Sequence, residues 1–375
     1  LDRKLHILFL SSWYPTESKP FLGNFVKRHI ELVSKNHFVT VLDLQSDNLV
    51  SSTQITQTSI ENLTEIIVKY PKGSNPIKKW LNAKKAFKVG VESIKNVDII
   101  HGNVILSKGL QFVWAKKYFQ KPLVVTEHAS YFSKEKVKSW NWREKLILKS
   151  VIKNTTVFTA VSAFLRNEIQ LSFSDLKIEI LPNVIDDSIF TLKEKSQNST
   201  IKFIHVSTLD ERYKNVSGII EACAILKKQG KTNFELEIIS DENFEALQKK
   251  VVKLSLENII AFSGPLQPAA IAEKMQFSDA LILFSNYETF SCVIAESWAT
   301  GTPVISTNVG IANHLEDNLG IQVSKNDTAS LVSAMTKFLD QKVSFNSIEL
   351  KNASLEYSSS QVLKSIEEIY SLAQI

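Results

Sequence analysis

Short, β-branched apolar runs bounded by polar or turn residues recur along the first half of the chain and read as strands. They are Lys4–Leu10, Phe38–Leu44, Glu65–Val68, Asp98–His101, Leu123–Thr126, Val157–Val161 and Ile178–Leu181. Apolar positions at helical spacing lie between them, over Asn24–Ser34, Lys78–Ile94, Ser107–Tyr118, Glu144–Lys149 and Ala163–Gln170. Strands alternating with helices imply a parallel sheet covered on both faces. The second half repeats the scheme. Its strands are Lys202–Ser207, Glu235–Ser240, Ile259–Phe262, Ala280–Phe284, Pro303–Ser306 and Gly320–Val323; its helices are Val216–Gln229, Phe244–Leu254, Pro268–Gln276, Cys292–Thr300 and Thr328–Leu339.

The polar segment Asp186–Thr200 breaks the alternation and is expected to be the linker, and a last helix covers Ser360–Ala373. At 375 residues the chain exceeds one comfortable core. The expected division is an N-terminal Rossmann-like domain over 1–184, a C-terminal one over 185–359, and a terminal helix over 360–375 returning to the first. Ligands bind at the carboxyl ends of the strands in such sheets, so two facing lobes would enclose a cleft.

Composition adds a charge asymmetry. Residues 1–184 carry 27 Lys+Arg against 15 Asp+Glu, and the remainder carries 17 against 24. The first half should therefore favour an anionic partner. No apolar run reaches the roughly 18 residues of a membrane span, and Ile7–Leu10 reads as a first strand rather than a signal-peptide core. Two cysteines, Cys223 and Cys292, read as small buried hydrophobes and fit a reducing cytoplasm.

The most informative stretch runs from Phe284 to Ser306. A strand ends at Phe284, a loop carries Glu288, a helix starts near Ser291 and stops at Gly301, and Pro303 opens the next strand. The backbone N–H groups of Thr289, Phe290, Ser291 and Cys292 at that helix start form a seat for a phosphate. Glu288 precedes the helix and Glu296 lies inside it, so two carboxylates can accept hydrogen bonds from different hydroxyls of one extended ligand. Spacing alone equally allows two solvated surface acids. Two further segments end strands with chemistry: His205 to Val216, which contains Thr208, Arg212 and Lys214, and Thr126-Glu127-His128. Fixed cations at the first would stabilise charge building on a leaving diphosphate.

The Glu288–Glu296 segment, followed by Gly-Thr-Pro-Val-Ile-Ser, resembles the Glu-x7-Glu signature of glycosyltransferase family 4. This family has the GT-B fold, an α/β architecture of two Rossmann-like parallel-sheet domains facing across a cleft, and retaining chemistry. The resemblance runs from about Lys4 to Tyr370. It implies that Glu288 contacts the donor sugar and Glu296 the nucleotide ribose. It matches Lys214 to the family's diphosphate-binding lysine and sets Thr208 where an arginine is usual, with Arg212 a candidate replacement. His128 matches the histidine beside the reaction centre, and His101 a site-lining step. Gly23 and Asn24 match the first loop, whose small residues let backbone approach the substrates, and Pro182–Asp186 matches the hinge entry. Lys134 and Trp140, in the aromatic-basic stretch after His128, are candidates for the acceptor mouth. One departure stands out: the usual Gly-Gly-x-x-Glu is reduced to Gly310 in Asn308–His314.

The resemblance implies a retaining transferase that moves a sugar from a nucleotide-sugar donor to a glycan or lipid-linked acceptor, in cell-surface polysaccharide or glycolipid synthesis. No cofactor is expected, and with no Asp-x-Asp-type motif near a strand end no metal is required. Lys78–Lys88 pairs lysines with Trp80 and Phe87 at helical spacing. It reads as a surface for anionic membrane, or as an ordinary sheet-packing helix with a solvated basic face. The expected location is cytoplasmic, peripheral on the inner membrane face. A nucleotide-sugar epimerase of the same fold and a non-catalytic sugar-binding protein are the rivals. A dinucleotide oxidoreductase is disfavoured because no Gly-x-Gly-x-x-Gly follows a first strand, and no nucleic-acid module is present.

Overall fold

The structure, a computed structural model, describes residues 3–16, 22–106, 108–193 and 200–375. The chain divides into two compact units. One comprises Leu1–Val161, Leu165–Asn183 and Val362–Ile375, and the other Ser162–Phe164 and Val184–Gln361.

The first unit is built on eight strands: β1 His6–Ser11, β2 Phe38–Asp47, β3 Gln54–Ile60, β4 Leu63–Pro71, β5 Ile99–Asn103, β6 Leu123–Glu127, β7 Val157–Ala160 and β8 Ile178–Ile180. Their order is β3-β4-β2-β1-β5-β6-β7-β8, parallel except for β3 against β4. Strands β1, β5 and β6 are buried along nearly their whole length, as central strands of a parallel sheet covered on both faces are, polar residues such as His101, Asn103 and Glu127 included. Helices α1 Asn24–Ser34, α2 Pro76–Glu92, α3 Gly109–Phe119, α4 Lys134–Ser139, α5 Trp142–Asn154 and, from Leu165 on, α6 Ala163–Gln170 belong to this unit. Local chemistry sets their starts. Asn75 accepts a hydrogen bond from Lys78 N with Pro76 in the first turn of α2, and Asn141 and Glu144 form a reciprocal capping box on α5.

The second unit carries β9 Ile201–Val206, β10 Phe234–Ile239, β11 Ile260–Ser263, β12 Ala280–Leu283, β13 Val304–Thr307 and β14 Gly320–Val323, in the order β11-β10-β9-β12-β13-β14. All its pairings are parallel. Its helices are α7 Glu211–Lys214, α8 Val216–Lys228, α9 Glu245–Lys253, α10 Pro268–Gln276, α11 Cys292–Ala299, α12 Thr328–Leu339 and α13 Ser347–Ser354. The chain winds outward from β9 through β10 to β11, then returns to the other side of β9 with β12. Neighbours β9 and β12 thus send their connections in opposite directions, which makes their carboxyl ends the switch point where such sheets bind ligands.

The last helix, α14 Ser359–Ala373, ends in the first unit. Val362, Ile366, Ile369, Tyr370 and Ala373 form its buried stripe at helical spacing. The Tyr370 hydroxyl lies 2.9 Å from His101 Nδ1, and His37 Nε2 lies 2.8 Å from Glu367 Oε1.

Besides the short helices α4 and α7, which no periodicity announced, four features differ from the sequence expectation. Strand β3 was not expected: all seven residues of Gln54–Ile60 are exposed, so no burial pattern marks them. Helix α13 is a second omission. Its short sequence buries only Leu350 and Ser354. The segment expected to be a linker is part of the second unit as far as it is described: Phe190 is buried and Thr191 O accepts a hydrogen bond from Gln276 Nε2. Its residues 194–199, and Ser107 at the expected start of α3, lie outside the described residues. Cys223 is buried, which pushes its thiol up to about 12, but Cys292 is only half-buried.

Candidate functional site

The carboxyl ends of β9 and β12 bring together two of the residues singled out by sequence. Lys214 ends the one-turn α7 that follows β9, and Glu288 stands in the loop after β12. Lys214 Nζ lies 2.5 Å from Glu288 Oε1, with the side chains 18% and 11% exposed. Such a pair in a half-desolvated crest is stronger than one on open surface and weaker than a fully buried one.

Neighbouring groups fix the pair. Ser285 Oγ donates to the same Glu288 oxygen at 2.8 Å. Asn286 ties the two loops together: its backbone N–H donates to Tyr213 O at 2.7 Å and its Nδ2 to Arg212 O at 3.1 Å. Below the crest, His205 on β9 donates from Nδ1 to Ile282 O at 2.8 Å, and its Nε2 lies 2.7 Å from Ser207 Oγ. Burial lowers its pKa to about 4, so the ring is neutral beneath the charged pair.

Helix α11 starts at Ser291, which adopts a left-handed φ of 77° and gives no side-chain cap. The N–H groups of Thr289, Phe290 and Ser291 donate to no other group among the described residues. An uncapped helix start beside a lysine suits an anion. The Phe290 ring itself is core, packed edge-on against Tyr357 at 5.2 Å, so only its backbone is available to a ligand. Glu296 stands on the buried side of α11, 6% exposed, rather than on a solvent face.

The loop that departs from the family pattern supports Glu288 from behind. Ile311 N donates to Phe290 O at 2.9 Å. Gly310 has φ 54°, and a Cβ there would stand 2.4 Å from Phe290 O and 3.3 Å from the Glu288 Cβ. Only glycine permits that approach. Ser285, Asn286 and Gly310 were not singled out for this role from sequence; the position of Ser285 directly after the β12 run was the one available signal.

Arg212 is a correction. Its guanidinium is held by Asp210, with Nε 3.0 Å from Oδ1 and an Nη 2.6 Å from Oδ2, and is 77% exposed. It is already paired, two residues away, and does not join the Lys214–Glu288 pair. Thr208 is exposed, and its carbonyl oxygen lies 2.5 Å from Ser207 Oγ.

In the first unit, His128 follows β6 and is buried. Its Nε2 lies 2.9 Å from Asn103 Oδ1, its Nδ1 3.1 Å from Asn183 Oδ1, and its ring stacks on Phe25 at 4.7 Å. A neutral imidazole donates from one nitrogen only, so one of the two amides turns its NH2 to the ring. Burial, with His29 and His101 nearby, holds its pKa well below the usual histidine value. Its backbone is set by Glu127, a buried carboxylate that accepts N–H bonds from His128 and Ala129 at 2.8 Å and from Ile105 at 3.1 Å. Nothing in the sequence marks Glu127 for that role.

His101 and Trp140 are further corrections. His101 is wholly buried, with Nδ1 on Tyr370 and Nε2 2.7 Å from Thr126 Oγ1; it is a core group, its pKa lowered to about 3 by burial. Trp140 is packed among Tyr131, Phe132 and Phe173 with its indole N–H on Tyr131 O, so it cannot face an acceptor. The Lys134 side chain lies outside the described residues, as do residues 17–21 of the first loop. Gly23 caps α1 with φ 73°, and a Cβ there would stand 2.4 Å from Trp13 O. Asn24 is the first residue of α1.

The α2 face is mixed. Phe87 is buried against the sheet, while Trp80 is 43% exposed with Lys84 over its ring at 5.1 Å. No helix is long and apolar enough to cross a membrane, and no group of three or more His, Cys, Asp or Glu disposed to hold a metal occurs among the described residues.

Two parallel-sheet α/β units, with a lysine and a glutamate joined at the switch point of the second, define the GT-B class of glycosyltransferases. The family comparisons agree. The model for glycosyl transferases group 1 matches residues 189–355, and the model for glycosyltransferase family 4 matches residues 29–189. The chain belongs to the group 1, family 4-like glycosyltransferases. It is 26% identical over 229 residues to the MMP alpha-(1->4)-mannosyltransferase of Mycolicibacterium hassiacum, covering 57% of this chain and 54% of that protein. It therefore spans about half the length of that relative. It is 24% identical over 295 residues to the N-acetyl-alpha-D-glucosaminyl L-malate synthase of Bacillus anthracis, covering 74% and 75%. Anabaena HepE, solved in complex with UDP and glucose, shares the fold with a TM-score of 0.71 at 17% identity, over 99% of this chain and 100% of that one.

Proposed function

We propose that the chain transfers a sugar from a nucleoside-diphosphate sugar to a hydroxyl of a glycan or lipid-linked acceptor, with retention at the anomeric carbon. The observation that carries this reading is the Lys214–Glu288 contact beside the uncapped start of α11. Glu288 accepts hydrogen bonds from donor sugar hydroxyls, and Glu296 from the ribose. Lys214 and the helix start hold the diphosphate.

In the reaction, the bond between the anomeric carbon and the β-phosphate oxygen breaks and its electron pair stays on the phosphate. The acceptor oxygen bonds to the same face of the anomeric carbon, and its proton passes to the leaving phosphate. Lys214 and the helix dipole stabilise the growing phosphate charge more than they stabilise the bound donor. Positive charge comes from the chain itself, so this reading needs no resident metal or cofactor. The neutral, buried His128 contributes a hydrogen bond rather than a proton. The solved complex of HepE with UDP and glucose supports a uridine diphosphate donor.

The second unit would thus be the donor side and the first the acceptor side. The lysine-rich α2, with exposed Trp80, supports an anionic membrane surface as the place of work, on the cytoplasmic face, and synthesis of cell-surface glycans or glycolipids as the purpose.

The test is a thermal-shift screen of nucleoside diphosphates and their sugars, followed by diphosphate release with the best donor. Activity that survives both Glu288→Ala and Lys214→Ala would end the reading.

A further inference from the structure

Beyond the donor crest, the first unit holds a cavity of about 420 Å³ at the carboxyl ends of β2 and β4. Its base is the register pair Ser46 and Tyr70. One wall is α2, through Lys79 and Trp80, and the other is α3, through Gln111 and Trp114. The two indoles meet edge to face at 6.4 Å. The volume falls in the range of roughly 300–1,000 Å³ usual for small-molecule sites.

Three observations define what fits. First, the charge is of one sign: Lys72, Lys79 and Lys108 line the cavity, and no lining residue is acidic. Lys108 is anchored from behind by Asp43, itself held by Gln45 Nε2 at 2.8 Å, which leaves Lys72 and Lys79 as exposed cations at the mouth. Second, Gln111, a mostly buried residue of α3, lines the cavity. Its carboxamide, with two donors and an acceptor, can bond a ligand hydroxyl there. Third, Trp80 and Trp114 give the cavity apolar aromatic walls, with Lys84 over the Trp80 ring, and Ser46 adds a polar group at its base.

We infer that this cavity binds the acceptor, and that the acceptor is a sugar carrying a phosphate or carboxylate group. The anion meets Lys72 and Lys79, a ring hydroxyl meets Gln111, and the ring packs against the aromatic walls. This rests on the reading of the chain as a glycosyltransferase and names the acceptor class for it.

Calorimetric titration of the full chain tests the inference. Glucose 6-phosphate and glucuronate are the anionic probes, methyl glucoside the neutral one, and inorganic phosphate the bare anion. Both anionic sugars should bind at least tenfold more tightly than either control. The double variant Lys72→Glu/Lys79→Glu, both exposed positions, and separately Gln111→Leu should each weaken glucose 6-phosphate at least tenfold. Equal binding of methyl glucoside, equal binding of inorganic phosphate, no binding of either anionic sugar, or variants that bind like the parent would each overturn it. A nucleoside diphosphate titrated into the same variants should bind as to the parent, because Lys214 and α11 are untouched. If no nucleoside diphosphate binds the parent while the anionic sugars still do, the transferase reading falls and the cavity stands.

Discussion

Lys214 and Glu288 are 74 residues apart in sequence, and their side chains meet at 2.5 Å above the two strands where the second sheet reverses its winding. Each is half the reason the other can stay there. Removing the lysine leaves a partly desolvated carboxylate with Ser285 as its hydrogen-bond donor, and removing the glutamate leaves an ammonium beside an electropositive helix start. Lys214→Ala should lower transfer at least about 100-fold, the scale for losing one preorganised group that stabilises transition-state charge. Combined with Glu288→Ala, the losses should fall well short of additive, because the residues act as one unit. Diphosphate release by the two single variants and the double variant checks both points.

Gly310→Ala should weaken donor binding without touching a donor contact. The new methyl would stand 2.4 Å from Phe290 O in a backbone with φ 54°. The loop holding Glu288 must move, so nucleotide affinity should fall about tenfold or more, and some stability should be lost. A nucleotide titration beside a urea melt separates the two effects.

Stability should fall with acid below neutrality. Burial lowers the pKa of His29 to about 4, of His101 to about 3 and of His205 to about 4, while the unfolded chain titrates near 6.5. Between those values the unfolded chain binds protons that the folded one refuses. The stabilisation is therefore complete above about pH 6.5 and is lost as pH falls toward 4, by a few kcal/mol per histidine at most. Glu127, raised by burial, works in the opposite sense as pH rises and offsets part of this. Urea midpoints at pH 7.5 and pH 5 measure the slope, and His205→Gln should flatten it.

If α2 meets an anionic bilayer, reversing Lys84, Lys85 and Lys88 to Glu should reduce co-sedimentation with phosphatidylserine vesicles by about 100-fold or more, at roughly 1 kcal/mol per lysine before reversal is counted. All three lysines are exposed, so the fold should tolerate the change. Binding that ignores both salt and these substitutions would remove α2 as the membrane face.

Where burial imposed a rhythm, the chain could be read. Strand β12 and helix α11 were legible because Ala280–Leu283 must be apolar on both faces and Gly301 must stop the helix with φ 73°. Lys214 and Glu288 were legible because both follow strand ends. Other features depend on neighbours remote in sequence. Arg212 looked free until Asp210 was seen to grip it, and Trp140 looked like a rim residue until Phe173 was seen beside it. His101 resembled a site-lining group, but Tyr370, 269 residues away, occupies its Nδ1. The α2–α3 cavity escaped sequence reading because no motif announces it: Ser46, Lys79 and Gln111 come together only when two helices pack over two strands.

Strand β3 forms one margin of the eight-stranded sheet, pairing only with β4 on its inner side. Its sequence, Gln-Ile-Thr-Gln-Thr-Ser-Ile, contains no lysine, no acid and no proline, and every residue is solvent-facing. The guards that usually deter a second chain from adding to an open margin are therefore missing. Crowded preparations should self-associate along this ribbon first, and a single Thr58→Lys change should raise the concentration at which that begins.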